Sequence, residues 1–585
     1  MKTLILTLAL ISINCFAQII PANRTYDFKS AGFGRGQKPV ISKTLNIMDF
    51  GGDANGGKSN NEALNSAIKS KGIQAARIYF PAGIYNFDKT IVLPDSTVLV
   101  GDGIQGTFFR MNPDFGNDCI SINGSIESKE YSIAGNVNKH FDKFAIKDKF
   151  NLAPPFWIKI YQKSFTNLTS DWAKNSIGQI IKVKSIAADS LIYINQNFRM
   201  NFDEKDTLVA TILKPVQCVG IENMTITRPS TKSFQTSNIA INYAVNCWVE
   251  CVESINANFG NVTISNSSNV SVTGSYFHDP VGFGGGGEGY GVVLQFTSGE
   301  CLVENNFFKK LRHSMLLQSG ANGNVFAYNY STEPFWTETS LPSNSSGDLV
   351  LHGNYPFANL FEGNLCQNIV IDNSHGLNGP DNTFLRNRAE LYGIFMNSSP
   401  ASNGQIFVGN EVTNTQLFFG LYVLAGSNHI EYSNNIKGTI TPANTNVMEI
   451  KSLFYNSNPY FFNSGFTTFP SFGYPNVGNK NEFPIKRRIQ QNAEFTLCGS
   501  PMTNIEESNK SPKFEIYPNP ANDLLILNTY QKTNAIVTDV NGKELDFLNF
   551  ENTISYNTQK LNNGTYFIVY FVGNEKVTLK FIVNR

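Results

Sequence analysis

The chain has 585 residues, with 46 basic and 46 acidic side chains, so its formal net charge is zero and only 16% of it is charged. A neutral chain argues against a nucleic-acid binder that works by phosphate neutralisation. The length leaves room for a large core plus further domains, and the abundance of Phe and Tyr fits a secreted globular protein. The first element is a signal peptide, residues 1–17: Lys2, an apolar run from Leu4 to Ile13, then Cys15, Phe16 and Ala17 before Gln18. Ser12, Ile13 and Asn14 make a poor lipobox, so Cys15 is not read as a lipoprotein site. No other apolar run is long enough to span a bilayer.

From Asp49 the sequence runs through an Asp-Phe-Gly-Gly-Asp stretch into a helical pattern ending near Ile68. Ala63, Leu64, Ala67 and Ile68 form one apolar face, with Ser59 or Asn60 as N-cap. Ile78-Tyr-Phe-Pro-Ala-Gly-Ile-Tyr85 and Leu99-Val-Gly-Asp-Gly103 follow. These segments resemble the N-terminal region of pectate-lyase-superfamily proteins. The resemblance implies a right-handed parallel β-helix whose open end is covered by a short amphipathic helix. The physics agrees, because a solenoid end exposes unpaired strand edge that must be covered. The superfamily hosts lyases, hydrolases, tail spikes and adhesins, so the resemblance speaks for fold far more than for reaction.

Residues 141–215 break the later rhythm and read as a β-rich insertion containing Trp157 and Trp172, which could stack on sugars or pack in a core. Coils resume at Cys218. From there an Asn-x-apolar-x-x-Asn unit recurs about every 23 residues, plainest at Asn324–Asn329, Asn359–Asn364 and Asn382–Asn387. A fixed period of this size marks a solenoid, and the apolar/polar alternation makes each unit a strand. The expected fold is therefore all-β: a parallel β-helix over 18–498, with Asn305, Asn329, Asn364, Asn387 and Asn410 stacked along one corner. Cys247 and Cys301 occupy inward apolar sites of this repeat and read as core residues rather than metal ligands.

Two coils carry insertions, at 277–290 and 331–347, after the same corner and two coils apart. Per-repeat insertions gather on one face, often the binding face, so these should wall a groove. Four of the six histidines lie in this region: His278, His313, His352 and His375. His352-Gly353 and His375-Gly376 each precede a corner asparagine by the same offset, so the two imidazoles should stack one coil apart, facing outward. Arg312, His313, Asp348, Arg388 and Tyr392 complete the catalytic candidates. Glu288, Trp336, Asn378, Asp381, Arg386 and Glu390 are the substrate-binding candidates. The Gly-rich stretch around Glu288 lacks the Walker lysine and is no phosphate loop.

Two mechanisms compete. A polysaccharide lyase removes a uronate C5 proton; Arg312, Arg386 and Arg388 would neutralise the carboxylate, with His352 or His375 as base and Tyr392 as acid. A glycoside hydrolase needs paired carboxyls, for which Asp348, Asp372, Asp381 and Glu288 would serve. The Arg and His content favours the lyase. A non-catalytic glycan-binding or adhesin solenoid is the third reading. No cofactor is specified. Ca2+ is left open, although no aspartate cluster like that of pectate lyases is found.

After Cys498 comes a polar linker, 499–512, and then a separate tail, 513–585. Short alternating strands with Asn-Gly turns make it a small β-sandwich. Tyr517-Pro-Asn-Pro520, Asp539-Val-Asn-Gly-Lys543 and Gly564-Thr-Tyr-Phe567 together resemble the type A C-terminal sorting domain of the type IX secretion system. The resemblance implies a Bacteroidetes-type bacterium, passage across the outer membrane and removal of the tail. The expected partners are thus a polysaccharide and the type IX machinery, and the expected state is a monomer.

Overall fold

The computed structural model describes residues 19–33, 38–187, 190–229, 234–282, 286–334, 346–396, 399–445, 448–462, 483–492, 494–498, 515–517, 519–528, 533–551, 553–572 and 575–585. The signal peptide, the linker and Trp336 lie outside these residues. The chain divides into two compact units, residues 1–501 and 502–585.

The first unit is a parallel β-helix with three faces. One face runs from Thr44–Asn46 through Ala76–Phe80 and Val325–Ala327 to Ile430–Tyr432. The second runs from Asn55–Ser59 through Tyr276–His278 and Tyr330–Thr332 to Asn434–Ile436. The third runs from Ile91–Val92 through Ile239–Asn242, Tyr290–Gln295, His313–Leu317 and Leu349–His352 to Leu421–Val423. Inward residues at alternate strand positions build one continuous apolar core. Within it Phe326, Phe361, Phe384 and Phe407 stack coil on coil, the last three at 4.8 and 5.0 Å.

Both asparagines of the repeat form ladders. In the first, Asn324, Asn359, Asn382 and Gln405 follow one another; each side-chain Nδ2 donates to the next residue's amide oxygen at 2.9–3.1 Å. In the second, Asn306, Asn329, Asn364, Asn387, Asn410 and Asn434 do the same at 2.9–3.1 Å. Asn364 also donates to the Phe326 carbonyl and accepts from the Asn329 backbone N–H, so its side chain is fully satisfied. Such buried amides are tolerable only because every group is paired; an orphaned one costs about 1–3 kcal/mol. One rung differs from the sequence expectation. Asn306 and not Asn305 occupies it, and Ser275 holds the position one coil earlier, its Oγ accepting from the Val252 N–H and its own N–H donating to Asn306 Oδ1. The early copies of the repeat therefore sit one residue further along than their apparent end points.

The helix Asn61–Lys71 buries Ala63, Leu64 and Ala67 against the first coils. Asn60 stands at its N-cap without capping it, because its amide accepts from the Asp53 N–H instead. The insertion is larger than the broken rhythm suggested. It begins at Ser125 and forms a closed six-stranded antiparallel barrel ending at Lys214, with its own core around Ile158, Ile181 and Phe198. Cys247 and Cys301 are buried in the solenoid core, which pushes both thiols up to about 12. Cys251 is different: it is disulfide-bonded to Cys498, 247 residues away, a link that spacing did not disclose.

The second unit is a sandwich of two antiparallel sheets. Leu525, Val537, Ile568 and Phe581 lie in its core.

Candidate active site

Outward side chains of the third face alternate with the core residues. Asn242, Ser265, Gln295, Gln318 and His352 fall in one register row that ends at Asp372. The amides are joined head to tail: Gln318 Nε2 donates to Gln295 Oε1 at 2.7 Å, and Gln295 Nε2 to Ser265 Oγ at 3.1 Å. This row floors a groove of about 600 Å³. Gln235, Ser237, Gly287 and Tyr290 line one part of it, Trp172, Asn266 and Phe296 another, and Asp118 stands among its lining residues far from His352.

His352 and His375 line the groove, with their ring centroids 4.8 Å apart at 82°. The strand partner of His352 is Asp372, however, and His375 comes three residues later in the turn. The stacking thus arises through the turn, where the Asn354 N–H donates to the His375 carbonyl, and not through strand register. His352 Nδ1 lies 2.6 Å from Asp372 Oδ2, a short but off-axis contact between imidazole and carboxylate. Burial would raise the Asp372 carboxyl, but the contact with His352 and the donors of Ser374 hold it well below its ordinary range. On the other side of His352 stands His313, ring centroids 5.1 Å apart. His313 is 2% exposed; its Nδ1 donates to the Ser346 and Gly347 carbonyls, and burial followed by the charge of His352 lowers its pKa to about 3. Burial also lowers His375, with His352 next. Tyr290 and Trp172 extend the row, 4.8 Å from His313 and 5.8 Å from His375.

The structure disperses most of the remaining candidates. Asp348 is wholly buried, accepts from Ser331 Oγ, Ser314 Oγ and the Gln367 N–H, and is raised by burial; it braces the wall and does not reach the groove. Arg388 pairs with Glu411 at 2.8 Å in the second face. Arg386 is buried and donates to the Ile450 carbonyl. Asp381 is held by Arg24, Lys139 and the Tyr26 hydroxyl, Glu390 by Lys486, and Asn378 links the Gly353 N–H to Ser402. Tyr392 stacks on Phe419 beside the apolar stripe of the third face and is absent from the groove lining. Arg312 is half-buried beside Tyr290, whose hydroxyl is raised by burial, with the Gly287 N–H and the Arg312 charge offsetting part of that rise. Glu288 is half-buried in the loop that supplies Gly287 to the groove.

Residues missed in the sequence are Gln295, Gln318, Asn242, Ser265 and Asp118; only the outward phase of each strand could have marked them. Trp172 is 45% exposed at the groove, whereas Trp157 is buried packing. Among the described residues no three His, Cys, Asp or Glu side chains gather to hold a metal ion.

Residues 44–310 match the family model described as rhamnogalacturonase A/epimerase, pectate lyase-like, and residues 515–584 match the secretion system C-terminal sorting domain. No curated protein gives a significant match. Several solved structures are similar to this chain at low identity. The tailspike protein gp49 from Pseudomonas phage LKA1 is 14% identical over 63% of this chain and 64% of that one, with a TM-score of 0.49. PfbA, a surface adhesin of Streptococcus pneumoniae, is 12% identical over 67% and 84%, with a TM-score of 0.39. The A-module of mannuronan C-5 epimerase AlgE6 from Azotobacter vinelandii is 11% identical over 66% and 98%, with a TM-score of 0.34. The chain spans less than two thirds of the tailspike's length. Residues 44–310, on the parallel β-helix, are thus similar to the pectate-lyase-like family, and the C-terminal sorting domain marks the chain for export through type IX secretion to the cell surface or the extracellular space.

Proposed function

We propose that the protein is a polysaccharide lyase that holds a uronate-containing glycan in the third-face groove and removes a ring proton with His352. The observation that carries this reading is the His352–Asp372 pair at the groove, flanked by two further imidazoles. Asp372 beside Nδ1 leaves Nε2 as the atom that takes the C5 proton, and the carboxylate stabilises the imidazolium that forms. The C5 electrons form the C4–C5 double bond and expel the C4 oxygen. The expelled C4 oxygen takes its proton from the His352 imidazolium or from water, and His375, kept toward its neutral form by burial, gives it a hydrogen bond and not a proton.

Hydrolysis by paired carboxyls finds less support. Among the described residues lining the groove, the one carboxylate is Asp118. It lies just before Ile120, five strand steps from the coil of Leu349, or roughly 24 Å at about 4.8 Å per step. Glycosidases place their two carboxyls within about 5–9.5 Å. A binding-only solenoid is favoured by one feature, the amide and hydroxyl floor with no Lys or Arg in the described lining.

A panel of uronic and neutral glycans separates these readings. Elimination gives unsaturated uronates that absorb in the ultraviolet. Hydrolysis gives reducing ends without that absorbance, and a binder gives neither. New reducing ends without absorbance would overturn the lyase reading.

A further inference from the structure

The barrel turns one face to the solenoid, and on its strand Phe156–Gln162 the alternate positions Trp157, Lys159 and Tyr161 share that face. Trp157 packs with Val245 of the solenoid, so this is an internal interface. Lys159 is buried within it. Its Nζ donates to Asn266 Oδ1 at 2.8 Å and lies 5.4 Å from the Tyr161 ring. Among the described residues no carboxylate pairs with it, and burial alone lowers the ammonium to about 7. A buried charge without a counter-ion is costly, and an apolar side chain of the same length would suit the interface better.

Asn266 lines the groove, so the ammonium stands one side chain behind the groove wall. The amide between them cannot turn freely: Asn266 Nδ2 donates to Asn242 Oδ1 at 3.1 Å, and Asn242 Nδ2 to Asn123 Oδ1 at 3.1 Å. Ser265, the neighbour of Asn266, is three strand steps from His352 through Gln295 and Gln318, or about 14 Å. An anion bound there would meet the lysine's field at a low-dielectric edge, where charges interact strongly.

We propose that Lys159 is the counter-charge for an acidic substituent of the bound glycan, in a specificity subsite three coils from His352. The inference rests on the reading that the groove holds a glycan. It explains why a barrel inserted in the early coils buries a lysine against the groove wall. The substituent is an anion, a carboxylate or a sulfate ester.

The test uses the full secreted chain as wild type, Lys159→Met and Lys159→Gln. Calorimetry measures binding of a uronate oligosaccharide, its methyl-esterified form and a sulfated neutral oligosaccharide. Wild type should prefer the acid over the ester by ~10-fold, the equivalent of about 1.4 kcal/mol. Both variants should lose that preference while keeping the affinity for the ester, and Lys159→Met should melt no lower than wild type. Binding of the sulfated form that exceeds the uronate and depends on Lys159 assigns a sulfate ester as the anion. A preference that persists in both variants overturns the proposal. His352→Ala should lose turnover and keep the preference. If wild type prefers the acid but yields no unsaturated product, the lyase reading fails and the subsite stands. If it eliminates while the Lys159 variants keep the preference, the subsite fails and the lyase reading stands.

Discussion

The asparagine corners and the histidine row are both stacks of polar side chains one coil apart. In the corners every amide is buried and paired on both sides, from Asn306 to Asn434. In the third-face row His352 and His375 are partly exposed, His313 Nε2 has no partner among the described residues, and the His352 contact to Asp372 is short but off-axis. The same geometry therefore serves two ends. A stack whose hydrogen bonds are saturated holds coils in register, and one with bonding capacity left over can engage a substrate.

Substitutions should split along this line. Asn364→Ala leaves the Asn329 N–H and amide without their acceptor in a dry corner, so we expect a loss of about 3–5 kcal/mol in denaturant unfolding. A loss below about 1 kcal/mol would mean the corner is held by strand pairing alone. His352→Ala should do the reverse: at least ~100-fold loss of turnover on the responsive glycan, with stability changed by less than about 1 kcal/mol. Equal damage to both would place His352 among the structural rungs.

A pH profile of stability probes the buried end of the row. His313 takes up a proton in the folded state only near pH 3, against about 6.5 unfolded. Between those values the unfolded chain binds the extra proton, so stability rises with pH, by up to about 1.4 kcal/mol per unit, and levels above about 6.5. Asp348, raised by burial, acts with the opposite sign at the acid end. The difference between wild type and His313→Asn isolates the histidine, and identical slopes would remove it from the account. The smallest effect is expected at the far end of the chain: deleting 513–585 should leave the solenoid's melting temperature unchanged while ending export beyond the periplasm. A lowered melting temperature would tie the tail to the solenoid's stability.

How much of this was legible in the sequence follows from the range of the forces involved. The repeat was readable because each Asn-x-apolar-x-x-Asn unit folds on local rules and recurs. The Asn305-Asn306 pair misled by one residue because two adjacent asparagines look alike until a neighbouring coil chooses between them. His352 and His375 were found close together for a partly mistaken reason, since a turn and not a strand carries the spacing. Arg386, Arg388 and Asp381 looked functional because charge is scarce here, yet each meets a partner distant in sequence or on another face. Gln295 and Gln318 drew no attention, because an outward glutamine resembles any solvated one. The Cys251–Cys498 bond joins residues whose nearness exists only after the solenoid is wound. In the chain-entropy view a loop of that length stabilises by up to about 5 kcal/mol.

The two ladders stand five residues apart in coil after coil, at 324/329, 359/364, 382/387 and 405/410. The return path from one coil to the next is not so constrained: it takes 30 residues from 329 to 359 but 18 from 364 to 382. The corner thus works as a ruler and the opposite side as free drafting paper. Chain can be spliced in or removed between the second and third faces without disturbing a rung. A lineage of such proteins can therefore redraw the walls of its groove for a new ligand while inheriting the spine untouched.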